Sequence, residues 1–273
     1  MTIWTGSIIQ KDSLYYLFYT AKRKEDSLVE TPHERRLPQN IGIATSKDLR
    51  TWTRTHATLE KPVIPNPGIY SEFDGSNWRD PCVIKDNTDG QYYAFICARP
   101  KESAADVGGL VAFATSSNLS DWQAEPYKIL YRSDDFYLTE VPQVFWRKTN
   151  DSKYWRLYLL FGPHWSPFFN PKVPVGVTYY VYSQPIADRS KVSYDCIPWS
   201  DESANLLCKY LYAGKLVNPE TEVYPVFYGF QKEDEGGHFV GGISDPQWAI
   251  FADDGTIRLS HSKPLHTSIE TLL

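Results

Sequence analysis

This chain of 273 residues has little of what marks several common classes of protein. It contains one Met and four Cys, and none of its hydrophobic runs approaches the ~20 residues that a membrane-spanning helix needs. Its formal net charge is −5 and its Lys and Arg residues form no basic stripe, so we expect neither nucleic acid nor a membrane as a partner. Because no signal-peptide pattern follows Met1, the location stays unknown, with the cytoplasm as the default.

The cysteines do not predict a metal site. Their spacing is not that of zinc ligands. The four are Cys82, Cys97, Cys196 and Cys208, and the first two stand in apolar runs typical of strands. Free buried thiols are therefore the simpler interpretation. We expect neither a metal nor a cofactor.

Aromatic residues are what the chain has in excess. They make up 15% of it, with 19 Tyr and 9 Trp. Aromatic side chains favour strands, and they also line carbohydrate sites, where they stack on the apolar faces of sugars. No convincing helical period appears, and residues 203–211 are the best candidate for a short helix. The composition therefore predicts an all-β protein.

A nine-residue motif occurs twice and indicates repeated units. Residues 44–52 (ATSKDLRTW) match residues 114–122 (ATSSNLSDW) at a spacing of 70 residues. Each copy follows a strand, a turn and an aromatic strand, and such a period is typical of β-propeller blades. Extending it predicts a single β-propeller domain over residues 1–273, with about four visible blades that start near residues 4, 79, 140 and 213.

Two of the predicted first strands begin with an acid. Asp80 stands in Arg79-Asp80-Pro81, and Glu140 stands in Glu140-Val141-Pro142. The first strands of propeller blades line a central channel, so their beginnings should converge. Two convergent carboxylates beside aromatic residues suit glycoside chemistry. The alternatives are a capping or Arg-paired structural acid for Asp80 and an exposed acid at a strand start for Glu140.

The same residues carry a resemblance to a known family. The ordered set is Trp4-Thr5-Gly6-Ser7, Phe18-Tyr19-Thr20, Arg79-Asp80-Pro81, Glu140-Val141-Pro142 and the segment 241–246 (GGISDP). It resembles the five-bladed propeller enzymes of glycoside hydrolase families 32 and 68, and the related family 43 shares their fold. The resemblance extends over nearly the whole chain.

The resemblance implies roles for individual residues. Asp80 would be the transition-state stabiliser, and Glu140 the general acid/base of a retaining mechanism. Candidates for contact with the substrate are Trp4, Ser7, Trp78, Arg79 and His164.

Two features depart from the family pattern. Val141 follows Glu140 where the families often have Cys or Arg. The nucleophilic aspartate of the family normally lies upstream of the segment that Trp4 begins here, but no Asp precedes Asp12, which the pattern places in a turn. The chain therefore resembles a propeller without its first blade, and we nominate no nucleophile.

Three functions stay open, and all of them have a carbohydrate as ligand. The first is a glycoside hydrolase acting on fructosyl or related furanoside linkages. The second is a non-catalytic carbohydrate-binding or scaffold propeller that has lost its nucleophile-bearing blade, and the third is a fructosyltransferase. A ring without one blade exposes sheet edges. We therefore expect either an open ring sealed by a partner chain, such as a second copy, or closure into a strained four-bladed ring.

Overall fold

The computed structural model describes residues 2–22, 39–54, 61–68, 72–103, 107–163, 174, 176–201, 203–234 and 236–264. Over these residues the chain is all-β and forms a four-bladed propeller arrangement of four antiparallel sheets. None of its described helices has the length and apolar character needed to cross a membrane.

Each sheet is one blade, and the strands of a blade follow one another along the chain. Blade 1 contains β1 (Thr2–Lys11), β2 (Leu14–Lys22), β3 (Asn40–Ser46) and β4 (Thr53–Arg54). Blade 2 contains β5 (Phe73–Lys85), β6 (Tyr92–Pro100), β7 (Leu110–Ser116) and β8 (Gln123–Arg132). Blade 3 contains β9 (Thr139–Lys148), β10 (Trp155–Pro163), β11 (Thr178–Tyr182) and β12 (Asn205–Cys208). Blade 4 contains β13 (Tyr212–Val217), β14 (Val226–Glu233), β15 (Phe239–Ile243), β16 (Gln247–Phe251) and β17 (Ile257–Ser260), with β15 paired to β14 outside the main order.

The repeated motif forms the same turn after the third strand of blades 1 and 2. In blade 1 the Ser46 hydroxyl accepts hydrogen bonds from the backbone N–H groups of residues 48 and 49. The Asp48 carboxylate accepts two more, from the N–H groups of residues 50 and 51. In blade 2 Ser116 and Asn118 repeat all four bonds. Ser, Asp and Asn suit this position because their short side chains bond to nearby backbone. The sequence repeat is therefore a repeat of turn chemistry.

Hydrophobic cores lie between successive blades. One joins blades 1 and 2, and it includes Phe18 and Trp78. A second joins blades 2 and 3, around Phe95 and Phe161, and a third joins blades 3 and 4, around Phe227. Among the described residues no such cluster joins blade 4 to blade 1.

The faces that no neighbouring blade covers are apolar. The outer face of blade 4 carries Val217, Tyr228, Phe230 and Ile243, which register places on one side of the sheet, and Ile243 is 80% exposed. The outer face of blade 1 carries Ile3 and Ile8, which are exposed, whereas Tyr19 on the same side is buried in a small cluster within the blade. The described blades thus end in two apolar surfaces rather than in a fourth core.

The helix predicted in residues 203–211 is wrong. Residues Asn205–Cys208 form β12, which pairs with β11 at the edge of blade 3. The helices of this region are two short 3-10 turns, Arg189–Lys191 and Tyr194–Cys196. Pairing with the free edge of β11 outweighs the weak local preference of this segment.

Each first strand has one extra residue, which lies near the start of β1, β9 and β13 and in the middle of β5. The register shifts fall at residues 3–6, 79–82, 140–143 and 212–215. In the last three blades the residue inside this bulge has a positive φ, +58° at Asp80, +49° at Val141 and +51° at Ala213. Bulges redirect side chains, and here they act where the candidate site lies.

Candidate active site

The bulges bring residues of three blades to one place. Arg79, Glu140 and Tyr212 each occupy the last paired position before the shift in their strand. Asp80 follows directly. The Arg79 Nε atom lies 2.9 Å from Glu140 Oε1 and 3.7 Å from Asp80 Oδ2. The two predicted carboxylates therefore converge on one atom although 60 residues separate them in the chain.

Arg79 is buried and held on every side. Its Nη1 donates to Gln39 Oε1 at 3.2 Å and to Asn77 Oδ1 at 2.8 Å, and its Nη2 also bonds to Glu140. Asp74 in turn accepts a hydrogen bond from the side chain of Asn77. Burial alone would lower the pKa of Arg79, but the Glu140 carboxylate raises it above its usual value. Arg79 is thus a fixed cation beneath the two acids.

Asp80 has partners on both carboxylate oxygens. The Thr5 hydroxyl donates to Oδ1, and the backbone N–H of Val141 donates to Oδ2 at 3.1 Å. Its own backbone N–H donates to the Thr20 hydroxyl at 2.8 Å. Burial raises the pKa of Asp80, whereas Arg79 and these hydrogen bonds oppose the rise. Blades 1, 2 and 3 all contribute to holding this one side chain.

Glu140 also has both oxygens engaged. Arg79 donates to Oε1, and the Tyr212 hydroxyl donates to Oε2. Tyr212 was not predicted as a site residue, because the candidates were acids at strand starts and the first strand of blade 4 begins without an acid. Alignment of the four bulges would have found Tyr212, since it shares its position with Arg79 and Glu140.

A cavity of about 210 Å³ lies beside these residues. It is lined by Gly6, Ser7, Asp80, Pro81, Cys82, Val141, Pro142, Gln143 and Lys215. Its volume is below the roughly 300–1,000 Å³ of pockets for drug-sized ligands, so it suits a small polar molecule. Asp80 and Lys215 give it one charge of each sign.

Lys215 is a further group that sequence reasoning missed. Its Nζ donates to the carbonyl oxygens of Val141 at 2.6 Å and Pro142 at 2.8 Å. Burial lowers the pKa of Lys215 to about 8. The amine therefore ties blade 4 to blade 3 and places a donor at the wall of the cavity.

The predicted substrate contacts fall in different places. Ser7 lines the cavity, and its hydroxyl accepts a hydrogen bond from Val83 N at 2.9 Å. Trp4 is exposed on β1, with Lys22 Nζ 5.4 Å from its ring centre. His164 lies outside the described residues.

Trp78 does not reach the cavity. It is fully buried between blades 1 and 2, where its ring packs edge-on against Phe73 and Tyr127. Side chains alternate along a strand, so Trp78 points into the core while Arg79 points toward the acids. The expectation of a substrate contact at Trp78 is corrected accordingly.

A larger cavity of about 550 Å³ lies at the other end of β9, lined by Arg147, Glu220, Tyr224 and neighbouring residues. Neither Asp80 nor Glu140 lines it, so the chemistry predicted for these acids does not lie there. Among the described residues, no three His, Cys, Asp or Glu side chains form a group that could hold a metal ion.

Comparison with solved structures shows the same fold. The chain aligns with an inulosucrase from Halalkalicoccus jeotgali bound to kestose at a TM-score of 0.61 and 15% identity, over 94% of this chain and 69% of that one. It aligns with a Cellvibrio cellulosa alpha-L-arabinanase at a TM-score of 0.55 and 16% identity, over 94% and 77%. A fructofuranosidase from Schwanniomyces occidentalis complexed with fructose gives a TM-score of 0.56 at 15% identity, over 90% of this chain. The chain spans 43% of that fructofuranosidase.

The sequence comparison goes further than the fold. No curated protein matches the chain. The model of the glycosyl hydrolases family 32 N-terminal domain, however, matches residues 1–233, which include both converging acids. The resemblance seen in the motifs is thereby confirmed, and the chain belongs to glycosyl hydrolase family 32.

Proposed function

We propose that this chain is the propeller of a glycoside hydrolase acting on fructosyl or related furanoside linkages. The convergence of Asp80 and Glu140 on Arg79, beside a cavity of about 210 Å³, carries this proposal. Membership of family 32 and the fold shared with a fructofuranosidase and an inulosucrase support the substrate class.

The two acids have different roles in the proposal. Glu140 is the general acid/base, which protonates the leaving oxygen and later takes a proton from water. Asp80 is the transition-state stabiliser, since each of its oxygens keeps a lone pair for a sugar hydroxyl beyond its bonds to Thr5 and Val141. A retaining reaction also needs a nucleophile, and we assign that role to no described residue.

A carbohydrate-binding propeller without catalysis is the second candidate. One observation favours it: Asp80 is the only carboxylate among the described residues that line the cavity. Such a protein would bind the same sugars in the same cavity without cleaving them.

Substitution of Glu140 tests the first candidate. We expect Glu140→Gln to lower the rate of hydrolysis of sucrose or a fructan by about 10²–10⁴-fold, the usual contribution of general acid–base catalysis. The amide keeps the shape of the side chain, so the circular dichroism spectrum should match that of the wild type. Glu222→Gln, at an exposed position, is the control and should keep full activity.

Product analysis and calorimetry separate the remaining outcomes. Full turnover by the Glu140→Gln protein would refute the acid/base role. Sugar binding without turnover by the wild type would select the non-catalytic candidate. Fructosylated products in place of free fructose would identify transfer, which differs from hydrolysis in how well water is kept out.

We also propose that the outer faces of blades 1 and 4 associate with another chain, a second copy being the candidate. The exposed apolar side chains of these faces support it, because contiguous apolar surface of this kind marks interaction sites. Sedimentation velocity should show association of the wild type, and Ile243→Lys should weaken it. A wild type that stays monomeric at high concentration would contradict the proposal.

A further inference from the structure

Tyr212 contacts Glu140 from a fixed position. Its hydroxyl donates to Glu140 Oε2, opposite the oxygen that Arg79 holds. The ring lies against Gly162, where a Cβ atom would come within 2.5 Å of Tyr212 Cε2. The lack of a side chain at Gly162 therefore makes room for the ring, and the backbone of β10 supports it.

The two partners of Glu140 differ in what they can do. The guanidinium of Arg79 only donates hydrogen bonds, so it favours the ionised form of the carboxylate. A phenol hydroxyl can donate to an ionised carboxylate or, after rotation about its C–O bond, accept from a protonated one. Arg79 can stay bonded to Oε1 in either state, but of the two partners only Tyr212 can also accept a hydrogen bond from the proton that Glu140 carries on Oε2.

Two other titratable groups of the described residues interact with Glu140, and neither supplies this. Asp80 from β5 and Cys97 from β6 interact with Glu140 electrostatically. Both oxygens of Asp80 already accept hydrogen bonds from other residues. Cys97 is fully buried, and burial raises its pKa well above the usual value, so it stays a neutral thiol.

We propose that Tyr212 is a positioning residue that keeps Glu140 oriented while it gains and loses a proton, by reversing the direction of their hydrogen bond. This inference rests on the proposed function. In each cycle the proton of Glu140 goes to the leaving oxygen and is replaced by one from water, while Tyr212 keeps its own proton. Tyr212 itself does not line the cavity, so its effect is on the turnover step and not on sugar binding.

Tyr212→Phe removes the hydroxyl and keeps the ring. We expect kcat/KM on sucrose to fall about 10- to 100-fold, as for loss of one hydrogen bond to a charged group, with KM almost unchanged. The basic limb of the pH profile of kcat/KM should move to higher pH. The ionised form of Glu140 loses a hydrogen-bond donor, so Glu140 keeps its proton to a higher pH. Tyr158→Phe is the matched control, since that buried hydroxyl donates to the Gly255 carbonyl 3.1 Å away and not to an acid. It should leave both the limb and the rate close to those of the wild type.

A second variant and a second readout keep the inference separate from the proposed function. Gly162→Ala should displace the ring and move the limb in the same direction. The titration of Glu140 followed by ¹³C NMR, with Glu140→Gln for assignment, needs no turnover. If the wild type does not hydrolyse the sugar, only the proposed function is refuted. The titration midpoint of Glu140 should still be higher in the Tyr212→Phe protein than in the wild type. Equal midpoints in the wild type, Tyr212→Phe and Tyr158→Phe would overturn the positioning role.

Discussion

At the residue scale, three of the six buried charged side chains among the described residues meet at the candidate site. Arg79, Asp80 and Glu140 are 3%, 4% and 7% exposed. Burying a charge costs free energy unless the charge is paired. Apolar side chains packed in place of a buried ion pair often give a protein that is equally stable. The cluster is therefore better explained by chemistry than by stability, and every oxygen of the two acids has a partner.

A prediction at this scale concerns Lys215 and pH. Its pKa of about 8 in the folded protein lies below the ~10.4 of an unfolded chain. Between these values the unfolded state binds more protons, so this group makes the free energy of unfolding rise with pH, by up to about 1.4 kcal/mol per pH unit. Lys215→Met should remove that rise in urea unfolding between pH 8 and 9.5. Lys153→Met, at an exposed position, should keep it, and parallel curves for the wild type and both variants would contradict the assignment.

At the element scale, the first strand of each blade differs from a regular strand in its bulge. Its bulge turns a backbone N–H or a side chain toward the neighbouring blade. The Val141 N–H bonds to Asp80 because Val141 lies in the left-handed region, which is unusual for a β-branched residue. Such a conformation costs about 1–3 kcal/mol and persists where the surrounding structure holds it.

Paired substitutions at Val141 measure this strain. Val141→Gly should be more stable than Val141→Ala by about 1 kcal/mol, because Gly accepts a positive φ without a steric penalty. At Val83, which has no positive φ, the order should reverse, since Gly loses more conformational entropy on folding. Urea unfolding of the four variants gives both differences. An Ala variant as stable as the Gly variant at Val141 would mean that no strain is stored there.

At the scale of the whole molecule, and among the described residues, blades 2 and 3 pack against a neighbouring blade on both faces and blades 1 and 4 on one. Three cores join the four blades, and none of those among the described residues joins blade 4 to blade 1. Stability follows buried apolar contact. It should therefore be uneven across the molecule.

Hydrogen exchange should show this difference. We expect the amides of β14 and β15, where Phe239 is 74% exposed, to exchange faster than those of β9 and β10. Peptide-resolved exchange with mass spectrometry measures it, and hairpins of the inner blades provide the internal control. Equal protection in blades 3 and 4, at a concentration where the chain is monomeric, would show that the outer face needs no cover.

The motifs allowed part of the site to be predicted. Asp80 and Glu140 each precede a proline closely, and a proline in a strand marks an edge, a first residue or a bulge. In β5 it marks the bulge, because that strand begins at Phe73 and not at Arg79 as the motif predicted. Thr5, Gln39 and Tyr212 were missed because their contacts with Asp80, Arg79 and Glu140 join residues that lie 40 to 75 positions apart in the chain. Trp78 was misassigned because its neighbours in sequence belong to the candidate site while its side chain points into the core between blades 1 and 2.

The sequence by itself determined the all-β class, the repeated turn after the third strand and, to within two residues, where the first strands of blades 1, 3 and 4 begin, whereas β5 begins six residues before the predicted position. These follow from local chemistry: strand preference, Ser and Asp bonding to nearby backbone, and proline at strand starts or bulges. Only the tertiary structure decided which residue of each strand start faces the shared centre. A single extra residue in a strand reverses the side-chain alternation beyond it, and its position depends on contacts between blades that local sequence does not contain.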